Sequence, residues 1–599
     1  MTAQYVLGID LGTTNSVLAY ASLDDDAPHV ELMKIPQLTD ENTIENRTSL
    51  ASFCYLAPNK PKEKLNLPWA AGRTYCVGEF ARRRAAERPE RTISAAKSWL
   101  SYGGVDRRSP ILPWQAPADI EKISPVVAAQ RYLEHIVATW TAAFPDAAVA
   151  DQLVVLTVPA SFDAVARELT REAALAAGLP AELVLVEEPQ AAVYSWLAET
   201  GDAWRKSLAV GDRLLVCDVG GGTTDLTLIG IEEQDGDLVL DRRAVGNHLL
   251  VGGDNMDLTL AHLVAGQFAE QGVELDPWQA VSLWHSCRTA KETLLADDGP
   301  DTHTVSVLGR SSKLIGGTVS VTVNRANVAE LLADGFLPRC EIGDAPQRRR
   351  ASGFQELGLP FESDTGITRH VAAFLSAQSE DPAKVCPTHV LFNGGVFKSE
   401  TLQTRLLSVL NDWREDGETT QPLPGVRDLD HAVALGAAHY GWIKKHGGIR
   451  IRGGVGRSYY VGIETAGLAI PGAQRPLQAL CVVPFGMEEG TEIDIPSKEI
   501  GLVHGEPAEF RFFSSAVRKE DKPGDLLPQG NDSELSETTP LLATLPLDES
   551  VSEPYVPVTF QTRITELGVF ELWCVSGQSD GRWKLEFNVR SDDEEELGG

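Results

Sequence analysis

The pattern of apolar and polar positions divides the chain into two regions of different period. Before residue 446, short apolar runs such as YVLGI (residues 5–9) and LLVC (residues 214–217) alternate with stretches that have the period of a helix. Short runs of this kind predict buried strands. After residue 457, apolar and polar residues alternate one by one, as in RWKLEFNVR (residues 582–590). One face of that predicted strand holds Trp583, Leu585, Phe587 and Val589.

Helices and less regular segments lie between these strands. The alanine-rich ARELTREAALAAGL (residues 166–179) has high helix propensity, and WQAVSLWHSCRTAKETLLA (residues 278–296) has the helical period. Residues 516–556 are rich in Pro, Ser, Thr, Asp and Glu, which predicts a mobile loop. The glycine-broken, basic residues 446–457 predict a linker, and the acidic residues 591–599 predict a solvated tail.

The charge of the chain excludes some classes of partner. Lys and Arg number 53 and Asp and Glu number 85, so the formal net charge is −32 at pH 7. A field of this sign repels nucleic acid and anionic membranes, so we expect neither as a partner. The N-terminus lacks the pattern of a signal peptide, and no apolar run is long enough to cross a membrane. The eight cysteines are dispersed without a C-x-x-C pair, which argues against zinc and disulfides and favours a cytoplasmic location.

One motif occurs twice: an apolar strand, an aspartate, a glycine-threonine turn and a second strand. Asp10 lies in GIDLGTTNS (residues 8–16), and Asp218 begins DVGGGTTDLTLI (residues 218–229). Glycine N–H groups and threonine hydroxyls in such turns form a concave site for phosphate oxygens. An aspartate at each strand end can hold Mg²⁺ through water, which neutralises the phosphates. The pair of motifs therefore predicts a two-lobed nucleotide clamp.

Further segments in the same order strengthen this interpretation. They are VPASFDAVAR (158–167), VEEPQAAVYSW (186–196), VGGDNMD (251–257), HVLFNGGVFKSETLQ (389–403) and DHAVALGAAHYGW (430–442). With these segments the chain resembles the DnaK-type heat-shock chaperone family (70-kDa class), within the superfamily that includes actin and sugar kinases. GIETAG (462–467) resembles the opening of that family's substrate-binding sandwich, which actins and sugar kinases lack.

The resemblance implies a fold and a domain organisation. The fold class is α/β, with a two-lobed, actin-like (duplicated ribonuclease H-like) ATPase domain over residues 1–445. The linker of residues 446–457 would join it to a short β-sandwich domain over residues 458–590. The family's helical lid has no counterpart after Val589, and a sandwich without a lid should release peptide quickly.

The resemblance also implies an ATP or ADP site with Mg²⁺ and weak ATP hydrolysis. Asp10 and Asp218 would orient water around the metal, and Glu188 and Asp225 would complete the polar cage. Glu188 precedes Pro189 at a strand–helix junction, whereas its neighbour Glu187 is expected to face solvent. The residues expected to bind the nucleotide on the phosphate side are Gly12, Thr13, Thr14, Asn15, Gly220, Gly221, Gly222, Thr223, Gly252, Gly253 and Asp254.

The chain departs from the family at a catalytic lysine. The position of the lysine that touches the γ-phosphate and the attacking water falls on Arg82, or on Arg83 with a slip of one residue. Arginine keeps the charge but has a planar, forked head group. Arg82 would therefore either clamp phosphate with two hydrogen bonds or slow hydrolysis.

The residues expected around the adenine base depart further from the family. Of the family's Glu, Lys, Arg and Ser series on one helix, Lys291 alone is in place, and the other positions hold Arg288, Glu292 and Leu295. Gly394 and Gly395 either contact nucleotide or form a plain turn, and they are followed by Val396 and Lys398. Asp430 either reaches the adenine or caps the closing helix.

The sequence gives two alternatives for how nucleotide state is coupled to the second domain. Arg167 and Pro189 match positions that couple nucleotide state to the partner domain in the family, although Arg167 could equally make a surface ion pair. The family's apolar linker is replaced by IRIRGG (residues 449–454), in which Ile449 and Ile451 share one face. This alternation predicts weakened but not abolished coupling.

Three hypotheses of function follow from these observations. The first is a monomeric, ATP-regulated chaperone that binds unfolded or client polypeptide, with a possible co-chaperone and exchange factor. The second is a nucleotide-dependent scaffold or regulator that docks one dedicated partner. The third is a small-molecule kinase, but no candidate for its catalytic aspartate is present.

Overall fold

The structure is a computed structural model with side chains. It describes residues 3–58, 64–114, 116–234, 237–308, 318–347, 359, 361–379, 385–425, 428–448, 451–452, 455, 457–464, 477–488, 491–497, 500–503, 507–528, 534–544, 555–564, 570–577 and 581–587. Among these residues no helix combines the length and the apolar character needed to span a membrane.

The first part of the chain forms one α/β unit. Its elements are β1 (Tyr5–Leu11), β2 (Asn15–Ser22), β3 (Glu31–Leu32), β4 (Ile35–Asp40), β5 (Thr43–Arg47), β6 (Ser49–Ala51), β7 (Cys54–Leu56), β8 (Tyr75–Val77), α1 (Glu79–Glu87), β9 (Thr92–Ile93), α2 (Ala96–Ser101), α3 (Pro125–Ala143), β10 (Leu153–Val158), α4 (Ala164–Ala176), β11 (Val184–Glu187), α5 (Glu188–Thr200) and α6 (Trp204–Ser207). The predicted alanine-rich helix is confirmed as α4, which is followed by Gly178 at φ 93°.

The second part repeats this architecture with a larger helical region. Its elements are β12 (Arg213–Val219), β13 (Thr224–Gln234), β14 (Asp237–Val245), α7 (Gly253–Glu270), α8 (Pro277–Leu295), β15 (Thr302–Leu308), β16 (Thr318–Asn324), α9 (Arg325–Phe336), α10 (Ile367–Ser376), β17 (His389–Asn393), α11 (Glu400–Asp412), β18 (Gln421–Pro422), α12 (Ala432–His446) and β19 (Ile451–Arg452). The helix predicted over residues 278–296 is confirmed as α8.

The two main sheets share one topology. In the first sheet, β1 pairs antiparallel with β2 and parallel with β10, in the order β11-β10-β1-β2-β3. In the second sheet, β12 pairs antiparallel with β13 and parallel with β17, in the order β18-β17-β12-β13-β14-β19. The strand that carries each motif aspartate is therefore central in its sheet, and both aspartates lie near a strand end.

Helices α5 and α12 pack against each other, and α12 also packs on β1 and β2. Gly436 of α12 sits so close to α5 that an added Cβ would overlap the carbonyl oxygen of Ala191. The two helices can approach this closely because Gly436 has no side chain. This contact joins the helical layer of the two sheets.

The third part of the chain is composed of strands. They are β20 (Ser458–Glu464), β21 (Leu477–Val483), β22 (Glu492–Asp494), β23 (Ile500–Val503), β24 (Pro507–Ser515), β25 (Leu526–Pro528), β26 (Ser536–Thr544), β27 (Tyr555–Ile564), β28 (Phe570–Ser576) and β29 (Arg582–Phe587). The rings of Tyr459, Phe512 and Phe570 stack at centroid distances of 5.5–5.8 Å. Strands β20 and β24 are neighbours, whereas β29 and β26 separate β28 from them in the strand order, so the sheet curls to bring the three rings into one core.

The prediction of a mobile loop over residues 516–556 is wrong at residues 526–528 and 536–544, which form strands. Strands β25 and β26 lie inside it, and β26 pairs with β24 from Pro507 to Ser514. Local composition hid this strand because its stability comes from pairing with a distant segment and from Leu541, which is fully buried. The face predicted for the last strand is confirmed at Leu585, which is buried, while Val589 lies outside the described residues.

The strand domain contacts the second lobe at described residues. In the linker, Ile451 is buried, its strand β19 pairs parallel with β14, and its N–H donates to the hydroxyl of Tyr194 at 2.9 Å. Lys519 Nζ donates to the carbonyl oxygen of Arg243 at 2.6 Å. Residues 451–452 of the linker thus form a docked strand, whereas Ile449 lies outside the described residues.

Candidate functional site

A cleft of about 600 Å³ lies between the two sheets, at the ends of β1 and β12. Its volume is in the range of small-molecule sites. Most residues predicted from sequence for catalysis or nucleotide binding line this cleft: Asp10, Gly12, Thr13, Thr14, Asn15, Arg82, Glu188, Asp218, Gly220, Gly221, Thr223, Asp225, Gly253, Asp254, Lys291, Glu292, Gly394, Gly395, Lys398 and Asp430. Gly222 and Gly252 are not among the lining residues: Gly222 faces Thr13 of the first turn, and Gly252 packs against the backbone of Gly220 and Gly221.

The two glycine-threonine turns face each other across the cleft. An added Cβ at Gly221 would overlap Thr14 Oγ1, so the turns nearly touch. The second turn is held from behind, because Gly253 N donates to Gly220 O at 2.9 Å. The first turn is held by the Ser52 hydroxyl, which donates to Gly12 O at 2.7 Å. Both turns are therefore positioned before any ligand binds.

Four carboxylates and one lysine lie at the bottom of the cleft. The carboxylates are Asp10, Glu188, Asp218 and Asp225, and Lys97 forms an ion pair with Glu188. Burial raises the pKa of Glu188 to about 8, and nearby aspartates add to this although Lys97 opposes it. Burial likewise raises the pKa of Asp218 to about 7 and raises the pKa of Asp10. The bottom of the cleft thus holds more carboxylates than positively charged groups.

Lys97 was not predicted from the sequence. Its side chain is 9% exposed, and although burial lowers its pKa, Glu188 and Asp10 outweigh this and raise it. A single lysine in the apolar run ISAAKSWL (residues 93–100) was the available signal. Arg82 also lines the cleft, but its guanidinium binds Glu79 at 2.8 Å and its side chain is 36% exposed. The cation next to the carboxylates is therefore Lys97.

Asp225 is held by two partners from different elements. The hydroxyl of Ser161 donates to Asp225 Oδ1, and His248 Nδ1 lies 3.4 Å from the same oxygen. Burial would raise the pKa of Asp225, but His248 and Ser161 outweigh it and lower the pKa. Asp225 is therefore suited to stay ionised and accept hydrogen bonds, whereas burial raises the pKa of Glu188.

Two ion-pair groups line the base side of the cleft. Arg288 binds Asp254 and Asp257, the latter at 2.7 Å, and Lys291 also binds Asp257 at 2.7 Å. Lys398 pairs with Asp430. Of the two roles predicted for Asp430, capping of α12 is wrong. Asp428 accepts from His431 N at 3.3 Å, and the Asp430 carboxylate binds Lys398 instead.

Glu187 does not face solvent, so that prediction is wrong. It is 5% exposed and pairs with Arg167 at 2.8 Å and with Arg242. Burial opposes ionisation of Glu187, but the two guanidinium groups outweigh it and lower its pKa. A carboxylate with two arginines can be buried because its charge is offset. Arg167 makes the ion pair that was one of its two predicted roles, but the pair is partly buried and does not lie on the open surface.

The residues present fit a magnesium nucleotide. Four buried carboxylates with one lysine leave excess negative charge, which a divalent cation at their oxygens would offset. Glycine turns on both sides offer backbone N–H groups and threonine hydroxyls to phosphate. The cation would also remove the repulsion between these carboxylates and the phosphates.

A family model described as Hsp70 protein matches residues 71–341, a little under half of the chain. The matched range contains Lys97, Glu188, Asp218, Asp225 and α8, and the turn at Asp10 lies before it. Hsp70 ATPase domains have a two-lobed, actin-like α/β fold, and the two sheets fit that architecture. The match over residues 71–341, together with the cleft that these residues help to build, is consistent with membership of the Hsp70-type family.

Proposed function

We propose that the chain binds Mg·ATP and Mg·ADP in the cleft, hydrolyses ATP slowly, and couples the nucleotide state to the binding of unfolded or partner polypeptide. The observation that carries this proposal is the pair of aspartate turns that face each other across one cleft. The match of residues 71–341 to the Hsp70 family model supports a chaperone-like use of that cleft.

Different residues of the chain would bind the metal and the phosphates. Asp10 and Asp218 would hold Mg²⁺ through water, and the metal when bound would neutralise phosphate charge. Thr13, Thr14 and Thr223, with the turn glycines, would donate to the β- and γ-phosphates. Because both turns are held in place from behind, binding would require little reorganisation.

Hydrolysis would depend on orientation of a water by carboxylates. Asp225, kept ionised by His248 and Ser161, would accept a hydrogen bond from the attacking water. Glu188 would accept a second one in its ionised form, which the ion pair with Lys97 favours. We assign to Lys97 the positive charge at the γ-phosphate and to Arg82 a contact at the cleft rim. Charge neutralisation and positioning supply most of the rate in phosphoryl transfer.

Coupling to the strand domain would use the docked linker. Glu187 adjoins Glu188, and its partner Arg242 lies on β14, the strand that pairs with β19. A movement of Glu188 on nucleotide binding would therefore be transmitted through Glu187 and Arg242 to β14, the strand that pairs with the linker. This arrangement supports the chaperone hypothesis.

The alternative is a nucleotide-dependent scaffold that docks one partner without general chaperone activity. The ion pairs Arg288–Asp254 and Lys398–Asp430 favour this alternative, because the polar side chains that could contact the adenine are already paired with each other. Binding of a labelled apolar peptide, measured with ATP and with ADP, separates the two hypotheses. Peptide binding that differs between nucleotides supports the chaperone, and no peptide binding in either state supports the scaffold.

Isothermal titration with Mg·ATP tests the nucleotide proposal directly. Gly221→Asp would place a carboxylate against Thr14 and the phosphates, and it should remove most of the affinity. Glu188→Gln should keep binding and lose hydrolysis, which makes it the matched control for folding. Unchanged ATP binding in Gly221→Asp would show that the clamp hypothesis is wrong.

A further inference from the structure

Asn393 ends β17 beside the aspartate of the second motif. In the parallel register of β12 and β17 it lies opposite Asp218, and its Nδ2 donates to Asp218 Oδ2 at 2.7 Å. Asn393 is 3% exposed and lines the cleft. Its Oδ1 is buried without a hydrogen-bond partner among the described residues.

The orientation of this amide is set by its surroundings. A carboxylate oxygen accepts hydrogen bonds, so the amide presents its NH₂ group to Asp218 and its oxygen elsewhere. The next residue, Gly394, has φ 83°, and an added Cβ there would lie 2.7 Å from Asp218 Oδ1. The tight turn therefore keeps the end of β17 against Asp218.

An unpartnered buried acceptor is costly unless a ligand supplies a donor. Waters on a bound magnesium ion are strong donors, and Asp218 is one of the two residues that would orient them. A neutral amide also adds an acceptor without adding a fifth negative charge to Asp10, Glu188, Asp218 and Asp225. The chemistry of this position thus matches a metal-bound water.

We propose that Asn393 is a positioning residue of the magnesium site: Nδ2 holds the Asp218 carboxylate, and Oδ1 accepts a hydrogen bond from a magnesium-bound water. This inference rests on the proposed function, because it assumes that Mg·ATP is the ligand. It assigns to the end of β17 a role in metal affinity, separate from contacts to phosphate.

The test compares ATP affinity as a function of free Mg²⁺, by isothermal titration, in the wild type and in Asn393→Leu. The leucine keeps the size and removes both polar atoms. We expect the Mg²⁺ concentration at half-maximal enhancement to rise about 10- to 100-fold, as for other outer-sphere partners of metals. ATP affinity in EDTA should stay unchanged, whereas a merely structural role would lower it too.

Asn411→Leu is the matched control, because Asn411 Oδ1 accepts from Thr420 N at 2.7 Å in α11, outside the lining residues of the cleft. It should leave both affinities unchanged. If Asn393→Leu does not fold, Asn393→Asp replaces it. The added charge should weaken ATP binding in EDTA and make it more dependent on Mg²⁺.

The outcomes separate this inference from the proposed function. Wild-type protein that binds no ATP at any Mg²⁺ concentration would overturn both. Wild-type binding with an unchanged Mg²⁺ midpoint in Asn393→Leu, or in Asn393→Asp where that variant is used, would overturn the role of Asn393 alone.

Discussion

At the scale of single residues, the cleft differs from the sequence prediction in the identity of its cation. The motif pointed to Arg82, yet the side chain that meets the carboxylates belongs to Lys97 at the start of α2. A lysine is a compact charge that can be desolvated, and an arginine fork requires room for two acceptors. The charge needed for hydrolysis can therefore come from a different element of the same lobe.

Lys97→Met should reduce the rate of ATP hydrolysis about 10²- to 10³-fold, the usual loss for one electrostatic contact to a transition state. Mg·ATP binding should remain, because the turns and aspartates are untouched. Single-turnover hydrolysis measures the effect, and Arg82→Met is the matched variant. A larger loss in Arg82→Met than in Lys97→Met would return the catalytic role to Arg82.

Glu187→Ala should destabilise the protein by about 3–5 kcal/mol, the usual cost of removing one partner from a buried ion pair. Arg167 and Arg242 would be left without their shared carboxylate. Urea unfolding measures the change. Glu172→Ala is the control, since its pair with Arg108 is about 40% exposed and should contribute little. Equal effects in the two variants would contradict the buried triad.

At the scale of elements, the two residues of β19 extend the second sheet by one strand. The main-chain N–H of Ile451 also donates to the Tyr194 hydroxyl on α5, the helix that begins with Glu188. The docked linker therefore touches both a sheet edge and the helix that carries Glu188, the proposed catalytic carboxylate. Such a strand can undock because it is short.

Ile451→Asp should undock β19, because a charge cannot replace a side chain that is 9% exposed without a partner. Limited proteolysis within residues 446–457 should become fast and equal in ATP and ADP. In the wild type it should be slower with ATP. Tyr194→Phe removes only the hydroxyl acceptor and should give a smaller increase. Equal cutting of the wild type in both nucleotides would make the linker a passive tether.

The sequence predicted the elements whose signals are local. The strands at Asp10 and Asp218, the helices α4 and α8, and most cleft residues follow from apolar runs, helical period and the repeated motif. Strand β26 and buried Glu187 could not be predicted in this way, because pairing with β24 and the guanidinium of Arg242 come from distant segments. Lys97 was missed for the same reason, since its partner Glu188 lies 91 residues away.

At the scale of the whole molecule, one buried and two partly buried histidines make stability depend on pH. Burial lowers the pKa of His135, His285 and His439 to about 4. In the unfolded chain a histidine has a pKa near 6.5. Between these values the unfolded state binds more protons, so stability falls as the pH is lowered from about 6.5 to about 4.

His135 should account for about 3 kcal/mol of this loss, since it is almost fully buried in α3. His135→Gln keeps a donor for the carbonyl oxygen of Pro36 and should flatten the pH dependence of the unfolding free energy. Denaturant unfolding at several pH values measures it, and exposed His29→Gln is the control. An unchanged slope in His135→Gln would contradict the buried neutral form.

Gly436 is not the only point at which α12 packs too closely for a side chain, because a Cβ on Gly8 of β1 would overlap the backbone of Ala434 and Ala438. The helix ends at His446, where the linker of residues 446–457 starts. Because α12 is held against both α5 and β1, the helix and the first sheet should move as one rigid body. Any displacement of β1 at the cleft would therefore be carried along α12 to the end that precedes β19.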